Sequence, residues 1–101
     1  METKVHSIHF KATSELEDFI QQKLKKLEVF YPKIIDAEVF LRLEKTDNPR
    51  ENKEVVIRLN IPGTTLLAKE IDNSFEAAAD SSVEALRRQL RKYKTKQENN
   101  N

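Results

Sequence analysis

The spacing of apolar residues changes several times along this chain, and each change marks the boundary of a predicted element. From residue 14 to 30, apolar side chains recur at steps of three and four, which indicates a helix with one buried face. Residues 37–43 and 55–61 instead alternate between apolar and polar side chains, as half-buried strands do. Residues 3–9 predict a short first strand, and a helical stripe returns from about residue 74 to residue 93 or beyond.

Polar residues and a proline set the limits of the first predicted helix. Ser14 and Glu17 have the three-residue spacing of a capping box, in which the serine oxygen accepts a hydrogen bond from an otherwise free backbone N–H group. Thr13 is an alternative cap. Pro32 ends the helix, because it lacks the N–H group that a continuing helix would use.

Turn residues divide the second half of the chain. A polar loop from Thr46 to Asn52 separates the two alternating strands, and Pro62-Gly63 predicts a tight turn into a further strand at residues 64–71. Asn73 or Ser74 then caps the final helix. The predicted order of elements is therefore βαβββα.

This order favours one architecture. A strand, a helix and a strand in succession favour a parallel first pair with a right-handed crossover, and the three later strands favour an antiparallel meander. The inward row of the second strand is predicted to be Ala37, Val39, Leu41 and Leu43. Both helices must cover the apolar face of the sheet. We expect an α+β two-layer sandwich, a four-stranded sheet with two helices side by side on one face.

Composition argues against catalysis. The chain has 101 residues, enough for one domain with a modest core, and it has no cysteine. Its two histidines, His6 and His9, lie in or beside the first strand, and a single glycine cannot form a glycine-rich phosphate loop. No metal-ligand spacing or nucleophile motif is found. We therefore predict a binding protein and not an enzyme, with no cofactor, metal or small-molecule substrate.

No apolar stretch in the chain is long enough to cross a bilayer, and the N-terminus has no apolar signal segment. We expect a cytoplasmic protein without a membrane partner.

Positive charge is concentrated in the last predicted helix. Six of the ten residues from Arg87 to Lys96 are basic, although the whole chain carries a formal net charge of only +1. They are Arg87, Arg88, Arg91, Lys92, Lys94 and Lys96. Such a cluster attracts phosphate, which favours a nucleic acid as partner. The alternative is a solvated helix end whose cations complement the helix dipole.

Lys23 lies inside the apolar sector of the first predicted helix. It falls about 20° from Leu16, and burying an unpaired ammonium is too costly, so its stem must extend towards an edge of the helix. If the two helices lie side by side, that edge is the groove between them, and Lys23 and Lys26 would approach the basic flank of the last helix. The alternative is that Lys23 simply extends to water.

The opposite face of the sheet offers a competing site. Phe40, with Arg42, Val56 and Arg58, could form a stacking platform for single-stranded RNA. Only one aromatic residue is predicted there, and the RNA-recognition motif has the order βαββαβ. The sequence favours a cross-strand packing pair of Phe40 with Val56.

Five short motifs match the pattern of one protein family. They are the first-helix residues Thr13, Leu16, Phe19, Lys23, Lys26, Leu27 and Glu28, the strand end Leu41-Arg42-Leu43-Glu44-Lys45, the pair Leu66 and Ala68, the segment Ser74 to Asp80, and Leu86-Arg88-Gln89-Leu90 with Lys92-Tyr93-Lys94. The last motif is the most specific. From about Thr3 to Lys96, the chain resembles the short ribosome hibernation-promoting factors, also known as the ribosome-associated inhibitor or protein Y family.

The resemblance implies a fold similar to the double-stranded RNA-binding domain. It also implies docking at the decoding channel of the small ribosomal subunit, where the protein would contact ribosomal RNA, exclude mRNA and tRNA, and inhibit translation under stress or in stationary phase. The RNA-facing residues that it implies are Lys23, Lys26, Arg88, Lys92, Lys94 and Lys96, to which Arg87 and Arg91 are added for their charge.

Several positions depart from the family pattern. Ala85 stands where lysine is common, Glu76 replaces an aromatic residue, Ser74 replaces an aspartate cap, and the loop after Lys45 lacks the usual histidine. The resemblance is to the short forms without a C-terminal dimerisation domain. We expect a ribosome-binding domain at residues 1–96, a disordered polar tail at 97–101, and a monomer when free.

Two rival functions stay open at this stage. One is a general double-stranded RNA-binding module, and the other is a module whose basic helix recognises an acidic protein.

Overall fold

A computed structural model describes residues 1–44 and 50–99, with side chains through Lys96. The elements are β1 (Glu2–Ile8), α1 (Ser14–Phe30), β2 (Asp36–Leu43), β3 (Lys53–Ile61), β4 (Thr64–Asp72) and α2 (Phe75–Asn99). The predicted order βαβββα is confirmed. Residues 46–49 of the predicted loop and residues 100–101 of the predicted tail lie outside the described residues. The helix α2 runs to Asn99, past the predicted domain boundary at Lys96.

The strands form one sheet in the order β1-β2-β3-β4. β1 pairs parallel to β2, with Val5 opposite Val39, as the strand–helix–strand start predicts. β2, β3 and β4 form the predicted antiparallel meander, in which Ile57 lies opposite both Val39 and Ala68.

Both helices cover the same face of the sheet, which confirms the two-layer sandwich. Residues of α1, α2 and the inward rows of the strands form one buried cluster, whose fully buried large side chains are Ile20, Leu24, Leu27, Val39, Leu41, Val55, Ile57, Leu59, Leu86 and Leu90. The prediction for Leu43 is wrong. It is the last residue of β2, at a corner of the sheet opposite Lys53, and it is 49% exposed.

Hydroxyl side chains cap both helices. The backbone N–H of Leu16 donates to Thr13 Oγ1 at 3.1 Å, so Thr13 is the cap of α1 and Ser14 is already helical. The capping-box prediction at Ser14 is therefore wrong by one residue. In α2 the N–H of Ala77 donates to Ser74 Oγ at 3.0 Å, which confirms Ser74 as the cap.

The last turns of α2 are tied to the strands below them. The hydroxyl of Tyr93 donates to the carbonyl of Pro62 at 3.3 Å, next to Gly63, whose φ of +87° is readily available only to glycine. The side-chain amide of Gln89 donates to the carbonyl of Leu67 in β4 at 3.1 Å. These bonds fix the rotation of α2 about its own axis, and with it the direction of its basic side chains.

Within the described part of the chain, no helix combines the length and the apolar character needed to cross a membrane.

Candidate nucleic-acid interface

The two helices lie side by side and run in the same direction. At their N-terminal ends the rings of Phe10 and Phe75 stack with centroids 5.0 Å apart. Further along, Lys23 of α1 contacts Asp80 of α2, and Phe30 at the end of α1 contacts Arg87. We call the line of contact from Lys23 to Phe30 the interhelix groove. The C-terminal end of α1 lies at Phe30, beside Arg87, and Lys96 lies in the last turn of α2, so the negative helix ends stabilise these cations.

Lys23 forms an ion pair across the interhelix groove. Its Nζ lies 2.9 Å from Asp80 Oδ1 and 5.4 Å from the centroid of the Phe19 ring, and its side chain is 30% exposed. The groove location predicted from the sequence is confirmed. For Lys23 the predicted approach to the basic flank of α2 is wrong, because the acidic residue Asp80 of α2 faces it there.

Three cations of α2 surround one ring of α1. The centroid of Phe30 lies 5.2 Å from Arg87 Cζ, 6.0 Å from Arg91 Cζ and 5.6 Å from Lys94 Nζ. We call Phe30, Arg87, Arg91 and Lys94 the Phe30 cluster. Among the described residues, the one ion pair of this cluster joins Arg87 Nε to Glu84 Oε1 at 3.8 Å, and Glu84 is largely exposed. The cluster therefore keeps most of its positive charge.

The other predicted RNA-binding residues are spread around the helices. Lys26 is exposed on α1, four residues before Phe30 and so on the same side of that helix. Arg88 and Lys92 are exposed and lie about 100° and 140° around α2 from Arg87, away from the groove. Arg88 lines a shallow depression whose other walls are Glu70, Asp80, Ser81 and Glu84. Lys96 is exposed. The structure thus gathers Arg87, Arg91 and Lys94, with Lys26 nearby, and separates Arg88 and Lys92 from them.

The uncovered face of the sheet also carries a ring pair. Phe40 lies opposite Val56, as the predicted cross-strand pair requires, and its ring stacks on His6 with centroids 5.0 Å apart and an interplanar angle of 18°. His6 Nε2 lies 2.8 Å from Glu38 Oε2. Since β1 is parallel to β2, His6 comes beside Phe40, a juxtaposition that the sequence analysis missed. The Glu38 carboxylate beside this ring pair repels phosphate at that point of the face.

Within residues 1–44 and 50–99, no group of three or more histidine, aspartate or glutamate side chains is placed to hold a metal ion.

Sequence analysis missed Asp80 and Phe30, although a spacing signal exists for both. Phe30 follows Lys23 by seven residues in α1, and Arg87 follows Asp80 by seven residues in α2. Seven residues are nearly two helical turns, so each pair lies on one side of its helix. Once the helices are known to be parallel, a Lys23–Asp80 contact therefore implies a contact of Phe30 with Arg87.

Comparison with known proteins gives the family. The model of the family "Sigma 54 modulation protein / S30EA ribosomal protein" matches residues 3–98. A ribosome hibernation promotion factor of Deinococcus radiodurans is 33% identical over 84 residues, which are 83% of this chain and 44% of that protein. A ribosome hibernation promoting factor of Pseudomonas putida is 31% identical over 98 residues, or 97% of this chain and 91% of that protein.

Two solved structures share the fold. A ribosomal subunit interface protein from Coxiella burnetii matches with a TM-score of 0.82 and 20% identity, over 94% of this chain and 99% of that chain. The N-terminal domain of Thermus thermophilus protein Y matches with a TM-score of 0.78 and 23% identity, over 92% and 99%. With the match to the family model over nearly the whole chain, the protein belongs to the Sigma 54 modulation protein / S30EA ribosomal protein family.

Proposed function

We propose that this chain is a ribosome hibernation factor: it binds the small ribosomal subunit near the decoding channel and blocks mRNA and tRNA. The observation that carries the proposal is the Phe30 cluster, where three cations lie close together and, among the described side chains, one largely exposed carboxylate forms an ion pair with them. The names of its relatives support the ribosome as partner. The family is one of ribosome-associated factors and not of enzymes.

The mechanism that we propose is steric occlusion. The basic side chains neutralise phosphates of ribosomal RNA, and contacts of this kind position a protein without reading the base sequence. The two helices are rigidly packed on the sheet, so the bound domain fills space that mRNA and tRNA need. The proposed RNA-facing residues are Lys23, Lys26, Arg87, Arg88, Arg91, Lys92, Lys94 and Lys96, of which Lys23 is partly neutralised by its ion pair with Asp80. Such binding would silence translation in the cytoplasm during stress or stationary phase.

Co-sedimentation with purified small ribosomal subunits tests the proposal. One variant replaces Arg87, Arg91 and Lys94 with glutamine. A matched control replaces Lys4, Arg42 and Arg58, exposed cations of the uncovered sheet face, and so changes the net charge equally. We expect the first variant to lose co-sedimentation with the subunits and the control to keep it. The slope of log K against log salt should fall by about 2 to 3 in the first variant, because each lost phosphate contact lowers it by about 0.7–0.9.

Binding of the first variant with the affinity of the unchanged protein would contradict the proposal, and loss of binding by the control alone would place the contact on the sheet. Competition with a plain RNA hairpin separates the rival function, since a general double-stranded RNA binder would be displaced from subunits by any duplex of similar length.

A further inference from the structure

We infer that Phe30 is a positioning residue for phosphate binding: its ring holds Arg87, Arg91 and Lys94 together without neutralising them. The inference rests on the proposed function and adds an uncharged residue on which ribosome affinity depends.

Three like charges on adjacent turns of a helix repel one another. Arg87 and Arg91 are four residues apart and Arg91 and Lys94 three, the spacings at which side chains on a helix meet and like charges destabilise. This repulsion favours conformations in which the three side chains point away from one another. The electron-rich face of an aromatic ring attracts cations, and Phe30 lies within 6.0 Å of all three.

A ring offsets repulsion differently from a carboxylate. Lys23 is held by Asp80 at 2.9 Å, a contact that occupies part of the ammonium and brings a negative charge that repels phosphate. Phe30 brings no net charge and accepts no conventional hydrogen bond. The N–H groups of Arg91 and Lys94, and those of Arg87 other than the Nε group that faces Glu84 at 3.8 Å, therefore stay available for phosphate oxygens.

The ring is also well anchored. Phe30 is the last residue of α1, it is half-buried, and Tyr31 directly after it is buried in the core. Arginine and lysine side chains lose much conformational freedom when they bind. A fixed ring that already contacts these side chains lowers the entropy cost of ordering them, because the cluster is partly ordered in the unbound protein.

The test is equilibrium binding of the full chain to purified small subunits over a series of salt concentrations. Phe30→Leu keeps an apolar side chain but removes the ring, and Phe30→Tyr keeps the ring. We expect Phe30→Leu to weaken binding about tenfold, because three side chains that the ring no longer orders must then be ordered on binding. The salt slope should be unchanged, because every cation is still present. Phe30→Tyr should stay within about twofold of the unchanged protein.

Phe19→Leu is the matched control. The ring of Phe19 also contacts an ammonium group, that of Lys23, but Lys23 is already held by its ion pair with Asp80. We expect this variant to bind with unchanged affinity.

If Phe30→Leu unfolds below the assay temperature, phenylalanine analogues with one to three ring fluorines at position 30 replace it, because fluorine removes electron density from the ring face with little change in size. Affinity should then fall with each fluorine. Unchanged affinity in a folded Phe30→Leu variant or in the fluorine series would overturn the inference. Failure of the unchanged protein to bind subunits would instead overturn the proposed function.

Discussion

If the protein binds ribosomal RNA as proposed, Asp80 should weaken that binding, and Asp80→Asn should therefore strengthen it. Asp80 is the acidic residue that faces Lys23 across the interhelix groove, at 2.9 Å between Nζ and Oδ1. It compensates a cation that would otherwise contact phosphate, and it places a negative charge on the proposed binding side. Replacing it with asparagine keeps the size of the side chain and removes both effects.

The structure gives the size of the change. The side chains of Lys23 and Asp80 are 30% and 55% exposed, and an ion pair in such a setting contributes about 0.2–1 kcal/mol. The midpoint of thermal unfolding should therefore fall by only about 1 to 6 °C. The affinity for small subunits should increase by up to about fivefold, the factor that corresponds to ~1 kcal/mol. The slope of log K against log salt should steepen by about 0.7–0.9, as one further phosphate contact requires.

A double-mutant cycle measures this effect. Lys23→Gln is made in the unchanged protein and in the Asp80→Asn background, and affinity for small subunits is measured at several salt concentrations. Lys23→Gln should weaken binding less in the first case than in the second, where it removes the ammonium that Asp80→Asn has freed. Asp18→Asn, an exposed acid on α1, is the control for net charge. Weaker binding of Asp80→Asn, or an equal effect of Lys23→Gln in both backgrounds, would refute the reasoning.

Two further predictions concern stability. Gly63→Ala should lower the free energy of unfolding in urea by about 1–2 kcal/mol, because φ of +87° is strained for any residue with a Cβ. Space is not the cause, since the new Cβ would lie 3.8 Å from Tyr93 Oη, and Gly63→Asn should recover part of the loss. Burial, and secondarily the neighbouring Tyr93, raises the pKa of Tyr31 above its ordinary value of 10.0. Its contribution to stability is therefore complete below about pH 10 and is lost as the pH rises towards the folded-state pKa, because the unfolded chain releases the proton first. Above pH 10, the midpoint of thermal unfolding should therefore fall less steeply with pH in Tyr31→Phe than in the unchanged protein. The same pH dependence in both proteins would contradict this.

The sequence predicts the elements and their layers well because periodicity reports which side of an element is buried. The steps of three and four in α1 and α2 and the alternation in β2 and β3 each leave one apolar face, and one sheet with two helices can bury them together. The exact residue at which a helix begins is harder to predict from the sequence. Thr13 and Ser14 both carry a hydroxyl that can cap, and the choice depends on where the helix begins.

Pairing across the interhelix groove could not be predicted from either helix alone. A slide of one turn, about 5.4 Å, between α1 and α2 would give Lys23 a different partner. The packing of both helices on the sheet sets this offset, and it places Asp80 opposite Lys23.

Alternation also gives the face of a residue but not what covers it. Alternation with Val55 places Glu54 on the uncovered face, yet Glu54 is 4% exposed, and Lys69 Nζ lies 3.5 Å from its Oε2.

The hydrogen bond from Gln89 to the carbonyl of Leu67 also protects an edge of the sheet. β4 is an edge strand, and unpaired backbone groups along such an edge can template the addition of a strand from another molecule, which leads to aggregation. Gln89 donates to one backbone carbonyl of this strand, which makes that acceptor less available to an incoming strand. This contact opposes pairing of β4 with a strand of another molecule. The residue that makes it belongs to α2, the same helix that carries the basic cluster.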